Sequence, residues 1–106
     1  MRPIPAKLRK QMNSDPFYKK CCICGFMQGI EWHHVFEFAR KQIQEKWAII
    51  PVCDRCHKAI HKNDHPCKTL SKRIALKRAT DEDLAKYPKV GSDSWEQQKR
   101  RLGINE

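Results

Sequence analysis

Apolar positions fall into short runs along this chain, with no long periodic stretch. Ile4, Leu8 and Met12 recur at a spacing of four and predict a short helix over 6–12, which Asn13-Ser14-Asp15-Pro16 breaks. Met27 to Gly29 reads as a turn, and Ile30 to Val35 alternates loosely, as a strand does. A second strand is predicted over 46–52, rich in Trp and Ile, with Pro51 at its end or on an edge. Between them 36–45 reads as a loop or short helix, with Phe36, Phe38 and Ile43 packing on the core. A helix is expected from about Arg55 to Lys62, capped by Asp54. Beyond Asn63-Asp64-His65-Pro66, Leu70, Ile74 and Lys77 mark one face of a basic helix ending near Ala79. Thr80-Asp81-Glu82-Asp83 has the form of a capped start, with acids in the first turn of a short helix that ends before Pro88. Residues 89–92 read as a linker, and Ser94-Trp95-Glu96-Gln97 has the form of a capping box opening a last helix that stops at Gly103. No internal repeat or second domain emerges. One domain over 1–106 is expected, divided into a basic arm (1–20), a core (21–62) and a helical extension (66–106).

Cysteine usage changes this picture. A chain of 106 residues has room for only a modest core, and small domains commonly draw on a metal or on disulfides. Four of the six cysteines form two C-x-x-C pairs, Cys21/Cys24 and Cys53/Cys56, with 28 residues between them. That is the spacing of zinc knuckles. No apolar run follows Met1-Arg2-Pro3-Ile4-Pro5, so a secretory leader is not expected. The longest apolar stretch, around Trp47 to Cys53, is too short to cross a bilayer. In the reduced cytoplasmic setting this suggests, a tetrathiolate structural zinc is favoured over disulfides. Cys21 is preferred to Cys22 as ligand because Cys21-x-x-Cys24-Gly25 makes the better knuckle, its glycine letting the backbone turn its amides toward sulfur. Cys22 is then a buried thiol, and Cys67 has no assigned role.

The formal net charge of +10 points to a polyanionic partner, of which nucleic acid is the usual one. No basic amphipathic helix with a clean apolar face is evident, so a membrane partner is not expected. Arg40 and Lys41, set among Phe36 and Phe38, are candidates for phosphate contact. The arm carries Arg2, Lys7, Arg9, Lys10, Lys19 and Lys20 against Asp15 alone, and reads equally as a solvated or a phosphate-contacting segment.

Histidines add a second chemistry. His57 and His61 form an H-x-x-x-H pair whose rings stand one helical turn apart, able to give two nitrogens to one metal. One of His33 or His34 would complete a three-His site with an open position, which catalytic metals keep. The other would then serve as a general base near neutral pH. On a regular strand these neighbours face opposite ways, so a twist, a bulge or the strand's end is expected there. His65 reads as a surface residue.

The order Cys21-x-x-Cys24, His33-His34-Val35, Ile49-Ile50-Pro51-Val52-Cys53-x-x-Cys56-His57, His61 resembles the HNH endonucleases, the ββα-metal (His-Me finger) nucleases of phages, homing elements, restriction systems and colicins. The resemblance covers roughly residues 20–62. It implies a small α+β fold with a ββα-metal core clamped by a four-Cys zinc and flanked by short basic helices. It implies His33, His57 and His61 as ligands of a catalytic divalent metal (Mg²⁺, Mn²⁺, Ni²⁺ or Zn²⁺) and His34 as the base that activates water. DNA is the implied substrate, cut by a one-metal mechanism suited to nicks, by a monomer or, for double-strand cutting, a dimer. Arg55 and Lys58 join Arg40 as candidates to neutralise the phosphorane, and Lys68, Lys72, Arg73, Lys77, Arg78 and 99–101 as backbone contacts. A phage- or prophage-encoded protein acting in the bacterial cytoplasm fits this pattern. The chain departs from the family at Ala48, nine residues before His57, where members carry an Asn that orients the base. Gln44, Lys46 or a backbone carbonyl would have to substitute, and Ala48→Asn is expected to leave activity equal or higher. Failing a substitute, the chain would be a non-catalytic zinc-stabilised DNA-binding module that keeps the nuclease fold.

Overall fold

Helix α1 (Ala6–Asn13) opens the computed structural model, which describes residues 4–38, 41–62, 66–87, 89–90 and 93–103. Met12 is fully buried, and Ile4 and Leu8 pack partly against it, as their spacing requires. A 3-10 turn (Pro16–Lys19) follows, held by the Asp15 carboxylate accepting from the Phe17 amide at 2.9 Å. The turn buries Tyr18, whose hydroxyl lies 2.6 Å from the Lys46 carbonyl and 2.8 Å from that of Ile49, donating to them. The Arg78 guanidinium donates to the same hydroxyl at 3.2 Å and stacks on Phe17 at 3.8 Å. The amino-terminal segment is thus fastened to the middle of the chain by its apolar side, while its lysines stay exposed.

Strand β1 (Glu31–His34) comes next. Where a loop or short helix is expected over 36–45, β2 (Glu37–Phe38) and β3 (Lys41–Gln42) form a small antiparallel pair. Its base is locked by the core: the Ile43 amide donates to the Phe36 carbonyl at 3.0 Å, and both residues are buried. The expected second strand begins late. Residues Lys46–Ala48 form a 3-10 turn, pinned by Tyr18 and by a Lys46–Asp15 ion pair at 2.8 Å, and only then does β4 (Ile49–Val52) begin. β1 and β4 pair antiparallel, with Glu31 opposite Val52, Trp32 opposite Pro51, His33 opposite Ile50 and His34 opposite Ile49. Pro51 is tolerated because its outer side receives the chain itself: the Cys22 amide donates to the Pro51 carbonyl at 2.9 Å.

Helix α2 (Asp54–Ile60) leaves β4 directly. Its N-cap is Cys53, not Asp54, and Asp54 instead pairs with Lys58 at 3.1 Å. Helix α3 (Pro66–Arg78) starts on a proline, whose missing N–H costs nothing in a first turn. It buries Ser71, Ala75 and Leu76, so its inward face is offset from the expected one, and Leu70 is exposed. α4 (Asp81–Ala85) carries the expected box, with Thr80 and Asp83 exchanging side-chain-to-backbone bonds. Of the expected linker at 89–92, the described residues form β5 (Lys89–Val90), which pairs antiparallel with β6 (Asp93–Ser94). α5 (Trp95–Arg101) is opened by the Ser94/Gln97 box and closed by Gly103 at φ +72°. The core gathers Phe36, Trp47, Ala48, Ile50 and Val52 with Leu84, Trp95 and Leu102 from the helical extension. Phe36 and Trp95 meet edge to face at 5.2 Å. The result is a small α+β fold with one antiparallel strand pair at its centre. Among the described residues no helix is long and apolar enough to cross a membrane.

Candidate metal centres

The first centre is built by two tight turns. Between Cys21 and Phe26 the chain folds back on itself, the Cys21 amide donating to the Phe26 carbonyl at 2.8 Å and the Gly25 amide to the Cys21 carbonyl at 2.9 Å. Gly25 takes φ +82°, which a residue with a Cβ rarely adopts. The second pair straddles the start of α2. The Cys22–Pro51 bond holds the two together, and the ligand atoms of Cys21, Cys24, Cys53 and Cys56 all lie within 4.8 Å of one another. Cys24 Sγ and Cys53 Sγ are 3.6 Å apart, close to the ~3.8 Å edge of a tetrahedron with bonds of about 2.3 Å. Burial alone would raise the Cys21 thiol, but amide N–H groups of Cys24, Cys53 and Ile23 outweigh it and bring it down to about 6. Burial and the neighbouring sulfurs push Cys56 up. Four sulfurs this close do not all ionise without a cation among them, and a soft divalent ion suits them. The set is placed as a metal site compatible with structural zinc. Cys22 is outside it and half-buried, raised to about 12 by burial and the charge on Cys21.

A second cluster stands where β1 faces α2. The ligand nitrogens of His33, His57 and His61 lie within 4.8 Å of one another. Ring centroids are 5.1 Å apart for His33–His57, 5.4 Å for His33–His61 and 4.9 Å for His57–His61. The strand brings one ring and the helical i,i+4 spacing brings two, the second at the C-cap of α2. Burial lowers His33 to about 4, helped by repulsion from His57, His61 and His34, so His33 is neutral and keeps a lone pair at ordinary pH. Glu31, which the spacing of histidines alone does not single out, places Oε1 2.8 Å from His57 Nδ1. Its only sequence signal is position: two residues before His33 on a strand is the same face.

His34 is not in that cluster. The β1–β4 ladder runs regularly through both histidines, with no bulge, and His34 stands at the strand's end, one of the expected alternatives. Its Nε2 is 2.9 Å from Gln44 Oε1. An amide oxygen only accepts, so Nε2 carries the proton and Nδ1 the lone pair. Lys46 does not hold His34, being paired with Asp15. Ala48 is fully buried.

Of the candidate phosphate contacts, Arg55 and Lys58 are exposed on α2, Arg55 lining a groove of about 840 Å³ with Phe26, Gln28 and the Cys24 knuckle. Lys58 shares its charge with Asp54. Arg40 lies outside the described residues, as do His65 and the side chain of Lys41. Arg78 is spent on Phe17 and Tyr18, and Arg73 donates from Nε to the Leu102 carbonyl, so both serve the fold. Comparisons of the chain with protein-family models, with curated proteins and with solved structures find no match.

Proposed function

We propose that this chain is a metal-dependent DNA endonuclease of the HNH type, with β1, β4 and α2 as a ββα-metal core clamped by a zinc on the four cysteines. The observation that carries the reading is the convergence of His33, His57 and His61, one neutral imidazole on a strand and two on the next helix, beside an unrelated four-sulfur cluster. Three imidazole nitrogens suit a borderline divalent cation and leave positions for water and a phosphate oxygen. When bound, such a cation (Mg²⁺, Mn²⁺, Ni²⁺ or Zn²⁺) supplies Lewis acidity toward a scissile phosphate and its leaving oxygen. His34 takes the proton of the attacking water on Nδ1, with Gln44 holding Nε2–H and so the ring. It stands near enough to the cluster that its charge disfavours a proton on His33. Arg55 and Lys58, on the helix that carries two of the ligands, meet the charge developing on phosphate. The exposed cations Lys68, Lys77 and Arg100 contact the backbone and give affinity without base reading. One metal per chain suits nicking.

One observation favours a second reading, a zinc-stabilised DNA-binding module without catalysis: the regular ladder sends His33 and His34 to different neighbours. Incubating supercoiled plasmid with the protein and single divalent metals, with EDTA as control, separates the two. The nuclease reading expects open circles with at least one metal and none with EDTA. Salt-sensitive DNA binding with no cleavage under any metal overturns it in favour of the module.

A further inference from the structure

Glu31 lies on the same face of β1 as His33, the face across which α2 brings His57 and His61. It is 49% exposed on its side chain, so nothing buries it against His57; the 2.8 Å contact is a choice of partner, made across 26 residues of sequence. An ionised carboxylate only accepts, so His57 must donate from Nδ1. In the neutral ring Nε2 is then the nitrogen with a lone pair. The bond also fixes the ring plane, because Oε1 and the helix backbone hold it at two ends. A carboxylate accepting from the far N–H makes the imidazole a stronger donor to a cation, the arrangement by which metal-binding histidines are commonly oriented.

We propose that Glu31 is a positioning residue for the histidine cluster: it holds His57 in the Nδ1–H tautomer, orients its ring and strengthens the hold of His33, His57 and His61 on a divalent cation. This rests on the reading of those three histidines as a metal site. Glu31 acts through His57 and touches no substrate.

The test uses the full chain with zinc already on its cysteines, titrated with Ni²⁺ by calorimetry, and compares Glu31→Ala, Glu31→Gln and His57→Ala. Imidazole ¹⁵N spectra recorded before Ni²⁺ is added report the His57 tautomer without any metal in the histidine cluster. Glu31→Ala is expected to weaken Ni²⁺ binding by about 10–100-fold and to release His57 into a mixture of tautomers, with the melting temperature little changed. Glu31→Gln keeps an accepting oxygen, so it should restore the tautomer and part of the affinity. Wild-type affinity and tautomer in Glu31→Ala, with the site lost in His57→Ala, would overturn the role of Glu31 and leave the metal site standing. Unchanged Ni²⁺ binding in His57→Ala would overturn the metal site itself, and the proposal with it.

Discussion

Ala48→Asn supplies the side chain that the resemblance to HNH nucleases expects, at a position the fold has closed. Ala48 is fully buried and belongs to the core with Phe36, Trp47 and Ile50. Its backbone is fixed on both sides: its amide donates to the Glu45 carbonyl at 3.0 Å and its carbonyl accepts from Val35 at 2.9 Å. The new carboxamide is therefore forced into packed space, which costs ~1–3 kcal/mol for overpacking. Leaving its donors and acceptor without partners costs a further ~1–3 kcal/mol. Each kcal/mol moves the midpoint of a domain this size by roughly 4–8 °C, so the melting temperature should fall by about 10 °C or more. Thermal melts followed by circular dichroism measure this, with plasmid cleavage assayed well below the transition. Because Gln44 already bonds His34, no gain in cleavage is predicted to offset this loss. An unchanged melting temperature with faster cleavage would refute the reasoning, since it would mean the Asn reaches the base without disturbing the core.

Three further outcomes follow from the same contacts. Gln44→Ala should lower kcat for nicking by up to ~10²-fold with DNA affinity unchanged, and should have no effect in a His34→Ala background, a non-additivity read by a double-mutant cycle. Cys56→Ser removes a buried sulfur from the tetrathiolate set and should abolish tight zinc retention and cooperative unfolding together, measured by zinc release into a chromogenic chelator and by melts. His33 titrates near 4 in the fold against 6.5 when unfolded, so as pH falls the unfolded chain takes up its proton first. With the histidine cluster kept free of metal, the stability of the folded chain should be insensitive to His33 above about 6.5, decline between 6.5 and 4, and level off below; urea melts at stepped pH, against His33→Gln, check this.

What was legible in the sequence is what is local. Knuckle spacing, the i,i+4 histidines and the two capping boxes at Thr80 and Ser94 each depend on a few adjacent residues, and each stands in the structure where its spacing puts it. The two small strand pairs were not legible, because strands of two residues show no periodicity; they are held at their roots by Phe36, Ile43 and Trp95 in the core. Strand β4 starts late for a similar reason, since Tyr18, 28 residues upstream, reaches over to take the Lys46 carbonyl. Arg78 looked like a free cation on a basic helix, but its partner Tyr18 is 60 residues away. Glu31 does not stand out in the sequence because carboxylates are common on exposed strand edges, and only the return of α2 gives it His57.

The most direct test of the account is the rate of supercoiled plasmid nicking by His34→Ala beside the wild-type chain, at saturating metal, with the DNA dissociation constant measured in the same buffer. His34 is only partly buried and, among the described residues, its ring bonds to Gln44, so the variant should fold and bind DNA as before. The account predicts a loss of roughly 10²–10⁴-fold in kcat with little change in affinity. Cleavage by His34→Ala at the wild-type rate would contradict it, and the proton of the attacking water would then have to be taken by another group.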